Sequence, residues 1–179
     1  MINWCWEDVD LLESQGKWNE AKETLIKHWN MNRTDLKILI RLGFFCWYVL
    51  VEEGPLGITG VDFDELENVL HEVTIFGLDN FAYNEDFLWS FGYMISLFPY
   101  HFGDYEHWEA KGNQMLKQVN DMYPDDPIYK YSYLGSLPGS YGQHKSVFLE
   151  LQAIIDERFQ GEGVLSGYFK SVWHQWHGI

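Results

Sequence analysis

The sequence predicts an all-α protein with about nine helices in antiparallel hairpins. Apolar residues recur at helical spacing, for example at Leu66, Val69, Leu70 and Val73. No segment alternates apolar and polar residues as a half-buried strand does. Aromatic residues make up 18% of the chain, which excludes a disordered protein. We therefore expect one helical-repeat domain over residues 1–179.

In the first half of the chain, glycines and capping residues mark the predicted helix ends. Gly16 ends the first helix, and the second begins directly after it. Asp35 is a candidate cap for the third helix, which is apolar on nearly all sides and is therefore expected in the middle of a bundle. The Gly54-Pro55 sequence predicts its end. Asp62 begins the fourth helix, whose acidic first turn suits the positive end of the helix dipole.

The second half divides in the same way. Asn84 is expected to cap the fifth helix, which Pro99 closes. Asp104 begins the sixth, and Pro124 follows it. A loop over 137–142 precedes the eighth helix. The predicted helices cover residues 4–15, 17–29, 35–53, 62 onward, 84–98, 104–123, 127–136, 144–159 and 164–176.

Two glycine features recur along the chain. A glycine followed by an aromatic residue returns after 44 and then 43 residues, at Gly16 and Trp18, Gly60 and Phe63, and Gly103 and Tyr105. A second glycine lies inside each intervening helix, at Gly43, Gly92 and Gly135. A mid-helix glycine costs about 1 kcal/mol relative to alanine. We therefore expect these three to mark the close approach of a neighbouring helix.

Both features resemble the tetratricopeptide repeat. That family has an apolar-x-x-Leu-Gly motif in the first helix of each pair and a Gly-x-aromatic-x-x-Ala motif at the second. The segment from Gly16 to Ala21 fits the second motif, and Gly103-Asp104-Tyr105 fits it in part. The spacing departs from the family's 34 residues. The resemblance implies a short tetratricopeptide-like α-solenoid of stacked hairpins, in which the first helix of each pair lines a concave groove.

The negative charge is concentrated in the middle of the chain. The segment from Leu42 to Ala110, here called the acidic stretch, contains 13 acidic residues and no lysine or arginine, within a net charge of −15. Such a surface disfavours nucleic acid and anionic membranes, which are bound through lysine and arginine. It favours a basic protein partner, because opposite fields steer association. The alternative is that the charge only maintains solubility.

Acidic and aromatic residues supply the candidate partner-binding site. Tryptophan and tyrosine carry much of the energy of protein interfaces, and the tetratricopeptide resemblance would place those of the fifth and seventh helices in the groove. Burial in the core is the alternative for these aromatic residues. The candidates are Glu52, Glu53, Asp62, Asp64, Glu65, Glu67, Asp86, Trp89, Tyr93, Asp104, Glu106 and Tyr129.

No catalytic motif or metal-binding motif occurs in the sequence. There is no GxSxG, no phosphate-binding glycine loop and no dinucleotide fingerprint. His71-Glu72 begins like a zinc-binding HExxH helix, but Ile75 occupies the position of the second histidine. We therefore predict a protein that is not an enzyme and needs neither cofactor nor metal.

The remaining features favour a cytoplasmic protein. Cys5 and Cys46 lie in apolar segments without a CxxC motif, as small buried residues do in a reducing compartment, although the sequence leaves a disulfide between them open. The N-terminus lacks a signal-peptide pattern. The longest apolar run, Leu42–Val51, is shorter than the ~20 residues of a membrane-spanning helix.

Two functions fit this profile. A small, acidic, tryptophan-rich cytoplasmic protein is similar in overall profile to the immunity proteins of bacterial toxin systems, which neutralise a basic toxin such as a nuclease. The alternative is a tetratricopeptide-like adaptor that holds a peptide or client protein in its groove. Exposed aromatic residues would also suit a homodimer interface.

Overall fold

The computed structural model describes residues 2–174, without the side chains of residues 141–143. Within that range the chain is all-helical, with nine α-helices and no strand, which confirms the predicted all-α class. The helices are α1 (Glu7–Ser14), α2 (Trp18–Met31), α3 (Leu36–Leu56), α4 (Phe63–Asn80), α5 (Glu85–Leu97), α6 (Tyr105–Met122), α7 (Pro127–Gly135), α8 (Tyr141–Arg158) and α9 (Val164–His174). A short 3-10 helix, Pro99–His101, follows α5. The last two residues of the predicted ninth helix, 175 and 176, lie outside the described range.

The described chain forms two compact units. Unit 1 comprises the chain up to Asn80 together with the segment from Glu157 onward. Unit 2 comprises Phe81–Asp156. The acidic stretch therefore contributes to both units, with the end of α3 and all of α4 in unit 1, and α5 and the start of α6 in unit 2.

Unit 1 is built around α3. This helix packs against α2, α4 and α9, and its residues from Ile38 to Trp47 are all buried. The prediction that the third helix lies in the middle of its neighbours is confirmed for this unit. The C-terminal helix α9 also packs against α1, so the two ends of the described chain meet in one core.

Unit 2 is dominated by the hairpin of α5 and α6. Gly92 on α5 lies against Met115 and Leu116, since a Cβ atom there would come within 3.2 Å of both side chains. Gly112 on α6 lies against the α5 backbone, where a Cβ atom would come within 2.7 Å of the Ser96 nitrogen. The expected close approach is therefore present at Gly92. It is absent at Gly135, the last residue of α7, where a Cβ atom would meet nothing within 4 Å.

The recurring glycine–aromatic pairs occupy equivalent places in three hairpins. Gly16, Gly60 and Gly103 all have positive φ angles, of 67°, 75° and 139°, a backbone region that glycine enters without steric cost. The aromatic residues that follow are the first residues of α2, α4 and α6. The repeat seen in the sequence is thus a repeat of the turn that starts the second helix of each pair.

Three predicted boundaries are wrong by three residues: the first helix begins at Glu7 and not at Trp4, the eighth begins at Tyr141 and not at residue 144, and the third ends at Leu56 and not at Glu53. The Gly54-Pro55 sequence does not end α3, which continues to Leu56. Gly57 ends the helix instead, in a left-handed conformation with φ 61°. Its N–H donates to the Gly54 carbonyl at 3.2 Å, and the Ile58 N–H donates to the Glu53 carbonyl at 3.0 Å. Because these bonds close the final turn, a proline one residue before the helix end is tolerated.

Candidate interaction surface

The twelve candidate residues divide equally between the two units. Unit 1 holds six acidic residues at one end of the α3–α4 hairpin, here called the acidic edge: Glu52, Glu53, Asp62, Asp64, Glu65 and Glu67. Unit 2 holds Asp86, Trp89, Tyr93, Asp104, Glu106 and Tyr129.

The acidic edge is formed by the last turns of α3 and the first turn of α4. Asp62 fixes the start of α4, because its Oδ1 accepts from the Glu65 N–H at 3.0 Å. Glu53, Asp62, Asp64 and Glu65 are exposed, while Glu52 and Glu67 are half-buried. The helix start thus places several carboxylates at the surface of unit 1.

One base from α2 and one from the turn after it neutralise part of α4, which the sequence analysis missed. Lys22 pairs with Glu65 on the acidic edge. Further along α4, Arg33 Nη1 lies 2.8 Å from Glu72 Oε1. The repeat spacing could have indicated the first of these pairs. Lys22 and Glu65 lie 43 residues apart, which is also a spacing of the glycine turns. The acidic stretch contains no basic residue of its own, but basic residues from elsewhere in the chain neutralise part of its charge.

The aromatic candidates of unit 2 lie in its core. Trp89 is only 2% exposed, and Tyr93 and Tyr129 are also buried. The indole N–H of Trp89 donates to Ser132 Oγ at 2.9 Å. Asp86 is buried as well. The physical reason is that α5 is apolar around most of its circumference and packs against both α6 and α7, so these side chains present little surface to a partner.

The two remaining candidates, Asp104 and Glu106, lie at the start of α6. Asp104 caps the helix, because its Oδ1 accepts from the His107 N–H at 3.0 Å. Both residues are exposed. Two exposed tyrosines that the sequence analysis did not select lie close to them along the chain, Tyr100 at 55% and Tyr105 at 52% exposure. Tyr100 lies in a 3-10 helix too short for helical periodicity to show its exposed face, and Tyr105, the first residue of α6, was noted only as part of the glycine–aromatic repeat.

A second group that the sequence analysis missed is a buried charge cluster in unit 1. Arg41, which is 1% exposed, donates through Nη2 to Asp10 Oδ1 at 2.8 Å and to Glu13 Oε2 at 3.1 Å. Its Nη1 donates to the Trp4 carbonyl at 2.8 Å. The Val164 N–H donates to Glu13 Oε2 at 2.8 Å. The cluster therefore joins α1, α3 and the start of α9.

Two carboxylates share one guanidinium in this cluster, which affects their protonation. Burial raises the pKa of Glu13 above its ordinary value, and the charge of Asp10 also raises it. Arg41 and the Val164 N–H act in the opposite direction but do not cancel the rise in the Glu13 pKa. With all three side chains buried, we assign the cluster a structural role in holding unit 1 together.

Neither cysteine takes part in a disulfide. Cys46 is buried in α3, and burial raises the pKa of its thiol. Cys5 is half-buried and lines a surface pocket of about 410 Å³ with Asp10, Leu11 and Gly161 among its other walls. The disulfide that the sequence left open is thus absent from the described structure.

The described part of the chain contains neither a metal-binding cluster nor a membrane-spanning helix. Between residues 2 and 174, no group of three or more histidine, cysteine or acidic side chains is placed to hold a metal ion. In the same part of the chain, no helix has the length and apolar character needed to cross a membrane.

Comparison with known proteins finds no matching family model, no matching curated protein and no matching solved structure.

Proposed function

We propose that this chain is a non-catalytic binding protein that captures a basic protein partner through its exposed acidic residues. The acidic edge supports this proposal most directly. Within it, Glu65 pairs with Lys22, and Glu53 and Asp64 are exposed at the end of the α3–α4 hairpin. A carboxylate surface of this kind attracts a positively charged protein and raises its association rate.

The specific form of the proposal is an immunity protein that neutralises a toxin, with a basic nuclease as the leading candidate. An inhibitor that must reach its target before damage occurs benefits from electrostatic steering, because steered association is far faster than association of neutral surfaces. A cytoplasmic location follows from this proposal, since the toxin would act there. This form of the proposal is supported by the exposed carboxylates of the acidic edge and by the small, acidic, tryptophan-rich character of the chain.

The proposed arrangement is a short tetratricopeptide-like stack within each unit. Contacts at the repeat spacing support it, since Lys22 contacts Glu65, Trp29 contacts Glu72 and Trp89 contacts Ser132, each pair 43 residues apart. Contacts between equivalent positions of consecutive hairpins are what a stack of repeats produces. The alternative function, an adaptor that holds a peptide or client protein, depends on this arrangement and on a groove surface, not on the acidic edge.

The first experiment is capture of the partner. The tagged chain is incubated with lysate of the native cell at low and at high salt, and retained proteins are identified by mass spectrometry. We expect one stoichiometric, strongly basic protein, captured more slowly at high salt. Retention of many weakly bound clients would favour the adaptor, and retention of none would favour self-association.

The second experiment tests the acidic edge with matched charge reversals. Glu53→Lys with Asp64→Lys changes two exposed edge residues and leaves both the Asp62 cap and the Lys22–Glu65 pair in place. Glu23→Lys with Glu157→Lys makes the same charge change at exposed positions elsewhere in unit 1. We expect the edge variant to slow association by about tenfold at low salt and to flatten its salt dependence. Equal effects of both variants, or no effect of either, would overturn the role of the edge.

A further inference from the structure

The turn between α5 and α6 in unit 2 exposes aromatic rings beside carboxylates. Leu97, Tyr100 and Tyr105 are all about half exposed. Glu106 lies one residue after Tyr105 and is exposed, and Glu109 lies one helical turn further along α6. We call these residues the aromatic turn: Leu97, Tyr100, Tyr105, Glu106 and Glu109.

The aromatic turn is held in a fixed shape by packing. The 3-10 helix that carries Tyr100 packs against both α5 and α6. The Tyr100 ring lies 4.4 Å from the His101 ring and 5.9 Å from the Phe98 ring, measured between centroids. At the start of α6, the Trp108 indole lies against Gly103, where a Cβ atom would come within 2.7 Å of the indole nitrogen. A surface that is already ordered loses little conformational entropy when a partner binds.

Between residues 97 and 109 the sequence contains three acidic residues and no lysine or arginine. Glu109 Oε1 accepts from the Tyr105 hydroxyl at 3.3 Å, and the Glu109 charge raises the pKa of Tyr105, which keeps the phenol protonated. The last turn of α5 carries no basic residue, although the C-terminus of a helix favours a positive charge. The nearest lysine along the chain is Lys111. The turn therefore offers aromatic faces and carboxylates with little positive charge nearby in sequence.

We propose that the aromatic turn binds an arginine side chain presented by a protein partner. The planar guanidinium stacks on a tyrosine face and pairs with a carboxylate at the same time, a combination that the compact lysine ammonium matches less well. The Tyr100 and Tyr105 rings supply the faces, and Glu106 and Glu109 supply the carboxylates. This inference rests on the proposed function, because it names the chemistry by which unit 2 would hold part of the same basic partner.

The test is an NMR titration of the full chain with a capped hexa-arginine peptide. Backbone amide shifts report where the peptide binds. We expect saturable shifts concentrated at residues 97–109, and weaker binding of hexa-lysine. Tyr100→Ala is expected to weaken the affinity at the turn by about threefold, the size of an exposed cation–π contact. Glu106→Gln, which keeps the side-chain size, is expected to weaken it by a similar factor.

Tyr83→Ala is the matched control. Tyr83 is the most exposed tyrosine in the described part of the chain, at 83%, and lies in the same unit before α5. Its removal is expected to leave the affinity at the turn unchanged. Binding of hexa-lysine as tight as hexa-arginine, together with no effect of Tyr100→Ala, would overturn the inference.

The titration also separates this inference from the proposed function. Shifts confined to the acidic edge of unit 1 would overturn the inference and leave the proposed function in place. Shifts at the aromatic turn, combined with failure of the chain to capture any basic protein from the cell, would support the inference and contradict the proposed function.

Discussion

The Glu13 carboxylate accepts a hydrogen bond from the Val164 backbone N–H at 2.8 Å, which ties two residues 151 positions apart. The bond depends on the close approach of the α9 start to the charges on α1 and α3. Gly163 makes that approach feasible, because a Cβ atom there would overlap Asp10 Oδ1 and lie within 2.8 Å of both Glu13 Oε2 and Arg41 Nη1. The beginning of α9 is therefore fixed by a residue without a side chain.

The first prediction concerns this glycine. Gly163→Ala is expected to destabilise unit 1 by about 2 kcal/mol or more, since overpacking forces a buried and paired group to move. The control is Gly167→Ala in α9, where a Cβ atom meets nothing within 4 Å and alanine is expected to stabilise by about 0.5–1 kcal/mol. Urea denaturation compares the two. Equal stabilities of the two variants would show that the α9 start does not lie against the charge cluster.

The second prediction concerns the guanidinium itself. Arg41→Met leaves two buried carboxylates without their positive partner, which is expected to cost about 3–5 kcal/mol. Arg33→Met removes an arginine whose side chain is 47% exposed and pairs with Glu72, and such pairs contribute about 1 kcal/mol or less. Thermal and urea denaturation of both variants measure the difference. An Arg41 variant as stable as the Arg33 variant would contradict the buried cluster.

The third prediction is a pH dependence that follows from the raised pKa of Glu13. A carboxyl group whose pKa is higher in the folded state binds its proton more tightly there. Its contribution to stability is therefore present below 4.5, the ordinary value, and is lost as the pH rises through the raised pKa. Relative to Glu13→Gln, the wild-type chain is expected to lose stability over the pH range above 4.5, as the raised pKa of Glu13 is passed.

The measurement is the free energy of unfolding of both chains across that pH range, with Glu157→Gln as an exposed control in the same unit. The difference between wild type and the Glu13 variant removes the contribution of titrating groups that do not interact with Glu13. A difference that is constant with pH would show that Glu13 titrates alike in the folded and unfolded chain.

The local elements of this fold could be predicted from the sequence because their signals are local. Asp35, Asn84 and Asp104 cap α3, α5 and α6 as expected, each accepting from the backbone N–H three residues later. The glycine turns before α2, α4 and α6 also follow from short motifs. Each of these features is determined by a few neighbouring residues.

Long-range contacts could not be predicted in the same way. Arg41 marks only the edge of an apolar run in the sequence, yet its partners Asp10 and Glu13 lie about 30 residues away. Trp89 has the same helical spacing whether it faces a groove or a core, and only the packing of α7 against α5 decides between them. Burial depends on which faces meet, and one sequence does not specify that.

The fourth prediction concerns the α5–α6 contact. Gly112→Ala is expected to destabilise the chain by about 1–3 kcal/mol, because the added Cβ atom would lie 2.7 Å from the Ser96 nitrogen and 2.9 Å from Ile95 Cγ2. Gly135→Ala is the control in the same unit, since its Cβ atom would enter open space. That variant is expected to be neutral or slightly stabilising. If Gly112→Ala proves as stable as Gly135→Ala, the two helices are further apart than the structure places them.

The fifth prediction tests whether Trp89 belongs to the core. Ser132 Oγ accepts from the Trp89 indole and donates to the Ile128 carbonyl at 2.8 Å, so the indole N–H is satisfied inside unit 2. Trp89→Phe removes this donor and leaves a small cavity, with an expected loss of about 2–3 kcal/mol. A double-mutant cycle with Ser132→Ala is expected to give a coupling of about 1 kcal/mol. A solvent-facing indole would exchange its hydrogen bond to Ser132 for one to water. Zero coupling together with unchanged stability would therefore place Trp89 at a surface, where it would again be a candidate groove residue.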